Sequence, residues 1–405
     1  MLVTNSIFLA ITTGDSVTRK LKASGSVASA LQFFEKFSEH CLAALEAARE
    51  EGRPIAGVYC IYAPLEIIRA AGCVPIGLCG KRQAPIQAAE AVLPASLCPL
   101  IKSSYGYAKT DTCPFFSAAD FIIAETTCDG KKKMYEFLGR IKPMHLMHLP
   151  YDQSLRSALR FWNAEAERLG EYLTAHGGVP ITAERLREEV EIGNAVRALM
   201  WEIVRINADG PPLLTGMQLL PVLESKSFMV EAAPYLAALR ELRDELLKLR
   251  KSATASTSDR RFRILLTGTP VGKGSHKVLQ LVEESGAVVV CLDNCSGMKG
   301  LDSPVQIDGD LFGNVARRYL EIPCACMTPN PGRLQTVEAL CRDFDIHGII
   351  DLTWQGCHGF NVESQVVRER AEGLEVPFLQ IETGYSESDA EQIRTRIEAF
   401  LEGIQ

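Results

Sequence analysis

The sequence predicts an α/β protein built as two doubly wound, Rossmann-like domains with a helical segment between them. Three observations carry this prediction: short apolar runs alternate with helix-period runs between residues 55 and 125, the pattern turns almost continuously helical from Leu155 to Arg250, and the alternation returns from Arg263. Alternation of that kind is the mark of βαβ units and a parallel sheet. A chain of 405 residues suits two or three domains. The predicted units are an N-terminal α/β domain with a leading helix over 1–154, a helical connector over 155–259 and a C-terminal α/β domain over 260–405.

Taken in order, Leu31 to Glu51 carries apolar residues at helical spacing, with Phe34, Phe37, Cys41, Leu42 and Leu45 on one stripe. Strands are expected at Ile55–Cys60, Val74–Leu78 and Phe121–Glu125, and helices at Leu65–Ala71, Ala84–Val92 and Ile101–Tyr107. The connector is rich in Leu, Ala, Glu and Arg, with breaks near Gly177-Gly178 and Gly210-Pro211-Pro212. Its end is marked by the small polar run Lys251 to Asp259, a loop signal. Strands then follow at Arg263–Thr267, Ala287–Leu292, Gly348–Leu352 and Phe378–Ile381.

Composition narrows the function. The net charge of −7 argues against a broad nucleic-acid face, which would be basic, and favours a small-molecule or protein partner. Ile7 to Thr12 is the only apolar stretch near the start, too short for a signal-peptide core or a membrane span. A cytoplasmic location is therefore expected, where cysteines stay reduced and clusters of them point to metal or redox chemistry.

Thirteen cysteines make that expectation concrete. Several stand where strands give way to loops, in Ser-Leu-Cys98-Pro, Thr-Thr-Cys128-Asp-Gly, Asp-Asn-Cys295-Ser-Gly, Pro-Cys324-Ala-Cys326-Met and Gln-Gly-Cys357-His. In doubly wound folds ligands bind outside the carboxyl ends of strands, so thiols far apart in sequence can converge there. The competing reading is a set of buried apolar thiols, a common fate of free cysteine. On the first reading, Cys98, Cys128 and Cys357 hold a cubane iron–sulfur cluster with one iron left open, and Cys295, Cys324 and Cys326 form a second triad. Cys128 opens a helix, which favours its thiolate, against the alternative of a helix cap by Asp129 with a solvated lysine run. Cys60, Cys79 and Cys113 are reserve ligands, with Cys113 at the wrong rim because it precedes a strand. Cys41, Cys73, Cys291 and Cys341 fall on apolar faces and read as core.

Gly268-Thr-Pro-Val-Gly272-Lys273-Gly-Ser275 is one residue short of a phosphate loop and reads as a tight turn. His276 and His358 are candidate proton donors beside a cluster, against the alternative of polar surface or satisfied core histidines. No serine-hydrolase order, zinc spacing or dinucleotide fingerprint is present.

Three segments carry a family resemblance: Tyr62-Ala-Pro-Leu-Glu66-Ile-Ile-Arg-Ala-Ala-Gly72, Leu97-Cys98-Pro-Leu-Ile-Lys-Ser-Ser-Tyr105-Gly and Glu125-Thr-Thr-Cys128-Asp-Gly-Lys-Lys-Lys-Met-Tyr-Glu136. Together they resemble the 2-hydroxyacyl-CoA dehydratase and benzoyl-CoA reductase superfamily over nearly the whole chain. The extra cysteines, in Asn294-Cys295, Pro323-Cys324-Ala-Cys326 and Thr112-Cys113-Pro, look like its double-cubane branch. The resemblance implies that Cys98, Cys128 and Cys357 bind the cubane shared across the superfamily; a second cubane on Cys295, Cys324 and Cys326 is read from their strand-end positions. It implies an iron–sulfur reductase holding an 8Fe–9S double cubane. Electrons would come from a separate ATP-hydrolysing iron–sulfur activator, substrates would be small molecules of the acetylene, azide or hydrazine type, and the chain would form a homodimer. The alternatives are a dehydratase-type subunit with one 4Fe–4S cluster, acting on an acyl-CoA, and a non-catalytic cluster carrier. The tail from Ile381 to Arg396 is similar to the family's closing motif, departing from it at Gly384 and Glu391, which puts a substrate-binding role for that loop in doubt.

Overall fold

The computed structural model describes residues 25–252 and 261–404. The apolar stretch at Ile7–Thr12 and most of the loop expected up to Asp259 lie outside the described residues.

Two four-stranded, all-parallel sheets form the frame. The first consists of β1 (Ile55–Val58), β2 (Val74–Gly77), β3 (Phe121–Glu125) and β4 (Met144–Met147), in the order β2-β1-β3-β4. The second consists of β5 (Arg263–Gly268), β6 (Val288–Asp293), β7 (Gly348–Trp354) and β8 (Phe378–Thr383), in the order β6-β5-β7-β8. The two orders are the same, so each sheet reverses its winding at its first strand, where a crevice opens beyond the carboxyl ends.

The strands form because their side chains are apolar on both faces. Phe121 to Glu125 and Gly348 to Trp354 are buried at every position, as expected of parallel strands covered by helices on both sides. In the first sheet alternate residues feed different cores. Ile55, Ile122 and Ala124 join the larger cluster with the helices Gly25–Glu35 and Pro99–Thr110, whereas Ala56, Phe121 and Ile123 join a second one with Leu65–Ala70 and Arg156–Ala175.

The segment between the sheets is helical over Arg156–Ala175, Ala183–Ala208, Gly216–Glu224 and Ala232–Ser252. Breaks fall at both glycine-containing sites named from the sequence. A third break, a 3₁₀ turn at Ser225–Phe228 and the extended residues after it, carries no glycine or proline and was not expected.

Other differences are local. The leading helix is two helices, Gly25–Glu35 and Phe37–Glu50, joined at Lys36. Strand Met144–Met147 was missed because Met-His-Leu-Met lacks β-branched residues and its burial alternates at an edge. A short helix, Pro114–Ala118, stands between Cys113 and β3, its start favoured by Pro114 at the first helical position.

Candidate iron–sulfur site

A cavity of about 650 Å³ lies where the carboxyl ends of the two sheets meet. Cys60 and Cys79 reach it from beyond β1 and β2, Cys128 from beyond β3, Cys295 from beyond β6 and Cys357 from beyond β7. Cys98, Cys324 and Cys326 do not end strands as expected: Cys98 comes from the start of the helix Pro99–Thr110, and Cys324 and Cys326 from the loop between the helices Leu311–Leu320 and Pro331–Asp343. Eight of the thirteen cysteines thus line one wall system.

They fall into two groups. In the first, the thiols of Cys98 and Cys357 share a hydrogen bond, which draws Cys98 below the ordinary thiol range and holds Cys357 well above it, with burial adding to the rise. Cys128 lies in the electrostatic field of Cys98. The close approach of the Cys98 and Cys357 loops depends on Gly356, whose φ is +72°. A Cβ there would press into the Ser96 carbonyl and stand 3.1 Å from the Cys98 nitrogen.

In the second group, Cys324 hydrogen-bonds with both Cys295 and Cys326 and is held well below its ordinary range by them, while Cys295 and Cys326 are raised. The Cys326 thiol lies 3.8 Å from the Tyr62 hydroxyl. Cys60 belongs with this group electrostatically; burial pushes its thiol up to about 12. Cys128 feels Cys324 as well as Cys98, so the two groups adjoin.

Cys128 precedes the helix Asp129–Leu138, as expected, but its thiol is raised rather than lowered. It opens onto the cavity, yet the walls still desolvate it, and this outweighs the attraction of Lys131. Lys131 itself is turned inward, its Nζ donating to the Tyr59 carbonyl at 3.1 Å. Burial opposes its charge, and Cys60, Tyr135, Cys79 and Cys128 overcome that and hold it protonated. The rest of the lysine run faces outward, as in the alternative reading, Lys132 pairing with Asp129 at 2.7 Å and Lys133 with Glu136.

Lys299 plays the matching part for the second group. It pairs with Asp293 at 3.2 Å, both side chains 1% exposed, and donates to the Pro323 carbonyl next to Cys324 at 2.9 Å. Nothing in the sequence singled it out, since a lysine four residues after a cysteine is common. Lys226 was equally illegible: buried beneath the Cys295 loop, it donates to the carbonyls of Leu223, Ser296 and Gly297, and burial with the nearby Lys81 lowers it to about 7.

The remaining candidates are placed as follows. His358 is exposed at the cavity rim, directly after Cys357. His276 does not line the cavity; its Nδ1 accepts from the Gly274 nitrogen at 3.1 Å. Cys113 is likewise away from the cavity wall, and Cys79 points back to donate to the Tyr59 carbonyl at 3.0 Å. Cys41, Cys73, Cys291 and Cys341 are buried in the cores, as expected. The loop Gly268–Ser275 is not a phosphate cradle, because the Glu224 carboxylate already occupies the Lys273 N–H at 3.0 Å. In the tail, Tyr385 packs edge-on against Trp354 and donates to the Gly80 carbonyl at 3.1 Å, and Gly384 stands clear of the cavity wall.

Among the described residues no three His, Cys, Asp or Glu side chains close on a point that would hold a single metal ion. The thiols instead face a shared space. An all-thiolate donor set spread around a cavity fits a polynuclear iron–sulfur group, with Lys131 and Lys299 supplying positive charge to an anionic cluster. Among the described residues no helix is long and apolar enough to cross a membrane.

Known proteins match this chain over nearly the whole length. The family model for the D-component of 2-hydroxyglutaryl-CoA dehydratase matches residues 60–404. An Escherichia coli (strain K12) protein provisionally named as the dehydratase subunit YjiM is 37% identical over 356 residues, 87% of this chain and 92% of that protein. The lactoyl-CoA dehydratase beta subunit of Anaerotignum propionicum is 24% identical over 87% of this chain and 92% of its own length. The (R)-phenyllactyl-CoA dehydratase beta subunit of Clostridium sporogenes is 21% identical over 88% and 93%.

Proposed function

From the premise that this chain belongs to the family of the 2-hydroxyglutaryl-CoA dehydratase D-component, within the 2-hydroxyacyl-CoA dehydratase and benzoyl-CoA reductase superfamily, we propose that it is an iron–sulfur redox subunit whose cofactor lies in the cavity between the two sheets. The observation that carries this reading is the meeting of Cys98, Cys128 and Cys357, from both halves of the chain, on one cavity. In the first form of the proposal these three thiols hold a single cubane, as the dehydratase names of the relatives favour, and the substrate is a 2-hydroxyacyl-CoA. When bound, such a cluster supplies one-electron chemistry and an open iron. Lys131 then keeps a positive charge against the thiolates, and His358 stands at the rim as a candidate proton donor.

A second form is favoured by the second thiol group. Cys295, Cys324 and Cys326 adjoin the first triad with their own buried cation, Lys299, so the cavity offers enough thiols for a double cubane and the reduction of small unsaturated or nitrogenous molecules. In both forms electrons come from a separate ATP-hydrolysing activator, and the chain works as a homodimer or within a subunit pair.

Iron and acid-labile sulfide, counted after anaerobic purification, test both. About four irons per chain support the single cubane and about eight the double one, since stoichiometry follows cluster type. Iron-free protein that takes up none on anaerobic reconstitution overturns the reading. Turnover that needs activator, ATP and a reductant separates an enzyme from a passive carrier.

A further inference from the structure

The wall of the cavity formed by Arg69, Arg197 and Arg318 has no assigned role, and its charges are not balanced from within. Arg197 is 8% exposed; it pairs with Glu66 at 2.8 Å and donates to the Asn194 side chain at 2.7 Å, but its buried Nε has no partner. Arg318, also 8% exposed, meets only neutral oxygens, donating from Nε to the Ser303 carbonyl at 3.0 Å and from its other arm to the Gly300 carbonyl. Arg69 likewise faces the carbonyls of Met229 and Val230. Among the described residues Glu66 is the one carboxylate in ion-pair contact with any of the three, and its second oxygen is taken by the Tyr319 hydroxyl at 2.7 Å. The cavity-lining Glu189, which acts on Arg69, and the exposed Asp302, which acts on Arg318, are the further carboxylates here, so among the buried groups two guanidiniums, Arg197 and Arg318, face one carboxylate, Glu66.

Buried charge that is not neutralised is costly, so an uncompensated guanidinium cluster with a free donor is a site awaiting an anion. The thiols are served by other cations: Lys131 acts on Cys98 and Cys128, Lys299 on Cys295 and Cys324. Beside the guanidinium wall the lining turns apolar, with Ile192, Val196 and Leu301. An oxyanion next to a hydrocarbon wall describes a carboxylate on a short aliphatic chain, and planar guanidinium groups match the two oxygens of a carboxylate.

We infer that Arg69, Arg197 and Arg318 form a subsite for the carboxylate of a short-chain organic acid or of a substrate that carries such a group, with the free Nε of Arg197 as a specific donor to it. The inference rests on the proposed function in one respect, that this cavity is where the substrate binds.

The test is calorimetric binding of butyrate to the anaerobically purified protein, beside butyramide as its uncharged isostere and inorganic phosphate as a bare oxyanion, with iron counted in the same preparations. Butyrate is expected to bind at least about tenfold more tightly than butyramide and than phosphate, the size of one charge-assisted hydrogen bond or more. Arg197→Lys keeps the charge facing Glu66 but removes the Nε donor, and is expected to weaken butyrate about tenfold with iron content unchanged. Should that variant not fold, Arg69→Met, which gives up hydrogen bonds to two backbone carbonyls and the attraction of Glu189 and Glu66, is expected to show a similar loss. Equal binding of butyrate and butyramide, tighter binding of phosphate, no binding of butyrate, or an unchanged affinity in the folded variants overturns the inference. Selective butyrate binding by protein that holds no iron would instead leave the subsite standing and remove the cluster.

Discussion

Glu125, at the carboxyl end of β3, is a buried carboxylic acid with neither oxygen hydrogen-bonded. Burial pushes it up to about 8, against the opposing pull of Lys131. Between its ordinary value near 4.5 and about 8, the folded protein keeps a proton that the unfolded chain has lost. Folding stability is therefore fullest below that window and declines as pH rises through it, by at most about 1.4 kcal/mol per pH unit. Glu125→Gln should flatten this slope and raise stability at pH 8 relative to pH 5, as measured by urea unfolding at both values; a slope unchanged from the parent would refute the assignment. Gly356 gives a second residue-scale expectation. Gly356→Ala forces a side chain into a positive φ, at a cost of about 1–2 kcal/mol, and drives the Cys357 loop away from the Cys98 loop. Iron retained per chain should fall below half of the parent value, read by metal analysis of the folded variant.

At the scale of elements, one lysine makes three of the contacts that fasten the closing tail. Lys277, at the start of the helix Lys277–Glu284, donates to the Thr383 hydroxyl at 2.9 Å, to the Ser386 carbonyl and to Asp389, all at or just beyond β8. Its side chain is 4% exposed while that of Asp389 is 31% exposed, so water screens part of the pair. Lys277→Ala should cost about 2 kcal/mol in denaturant unfolding and speed proteolysis after residue 383. The periodicity of the sequence located most elements because their burial is one-sided or complete. It failed where a neighbour decides. Val27 to Ala48 is apolar at helical spacing throughout, and the bend at Lys36, which no proline or glycine marks, falls where the first helix packs against Ala232–Ser252 and Gly216–Glu224 and the second against the Ser225–Phe228 turn.

At the scale of the whole molecule, the cavity lies between the carboxyl ends of the two sheets, and hydrogen bonds across it tie the two halves together. Tyr62 donates to the Ile322 carbonyl at 2.7 Å, Tyr319 to Glu66 at 2.7 Å, and Lys81 bridges Glu224 at 2.6 Å and Ser296 at 2.9 Å. The Lys81–Glu224 pair is 13% and 6% exposed, so Lys81→Met leaves a nearly buried carboxylate without its cation, held by the Lys273 N–H, and should cost about 3 kcal/mol in unfolding free energy. A loss under about 0.5 kcal/mol, the range of exposed pairs, would show that this bridge does not hold the sheets together. The sequence by itself determined the α/β class, both parallel sheets and the strand-end placement of Cys128, Cys295 and Cys357, because alternating apolar runs and turn residues are local signals. It could not decide which thiols face one another, that Lys131 and Lys299 turn inward while Lys132 and Lys133 stay in water, or that Arg197 keeps a free donor at the cavity wall. Those outcomes depend on contacts that link separate elements, Cys98 with Cys357 and Arg197 with Glu66 across more than a hundred positions and Lys131 with Tyr59 across 72, and on the desolvation that closing the cavity imposes. No window of sequence contains either.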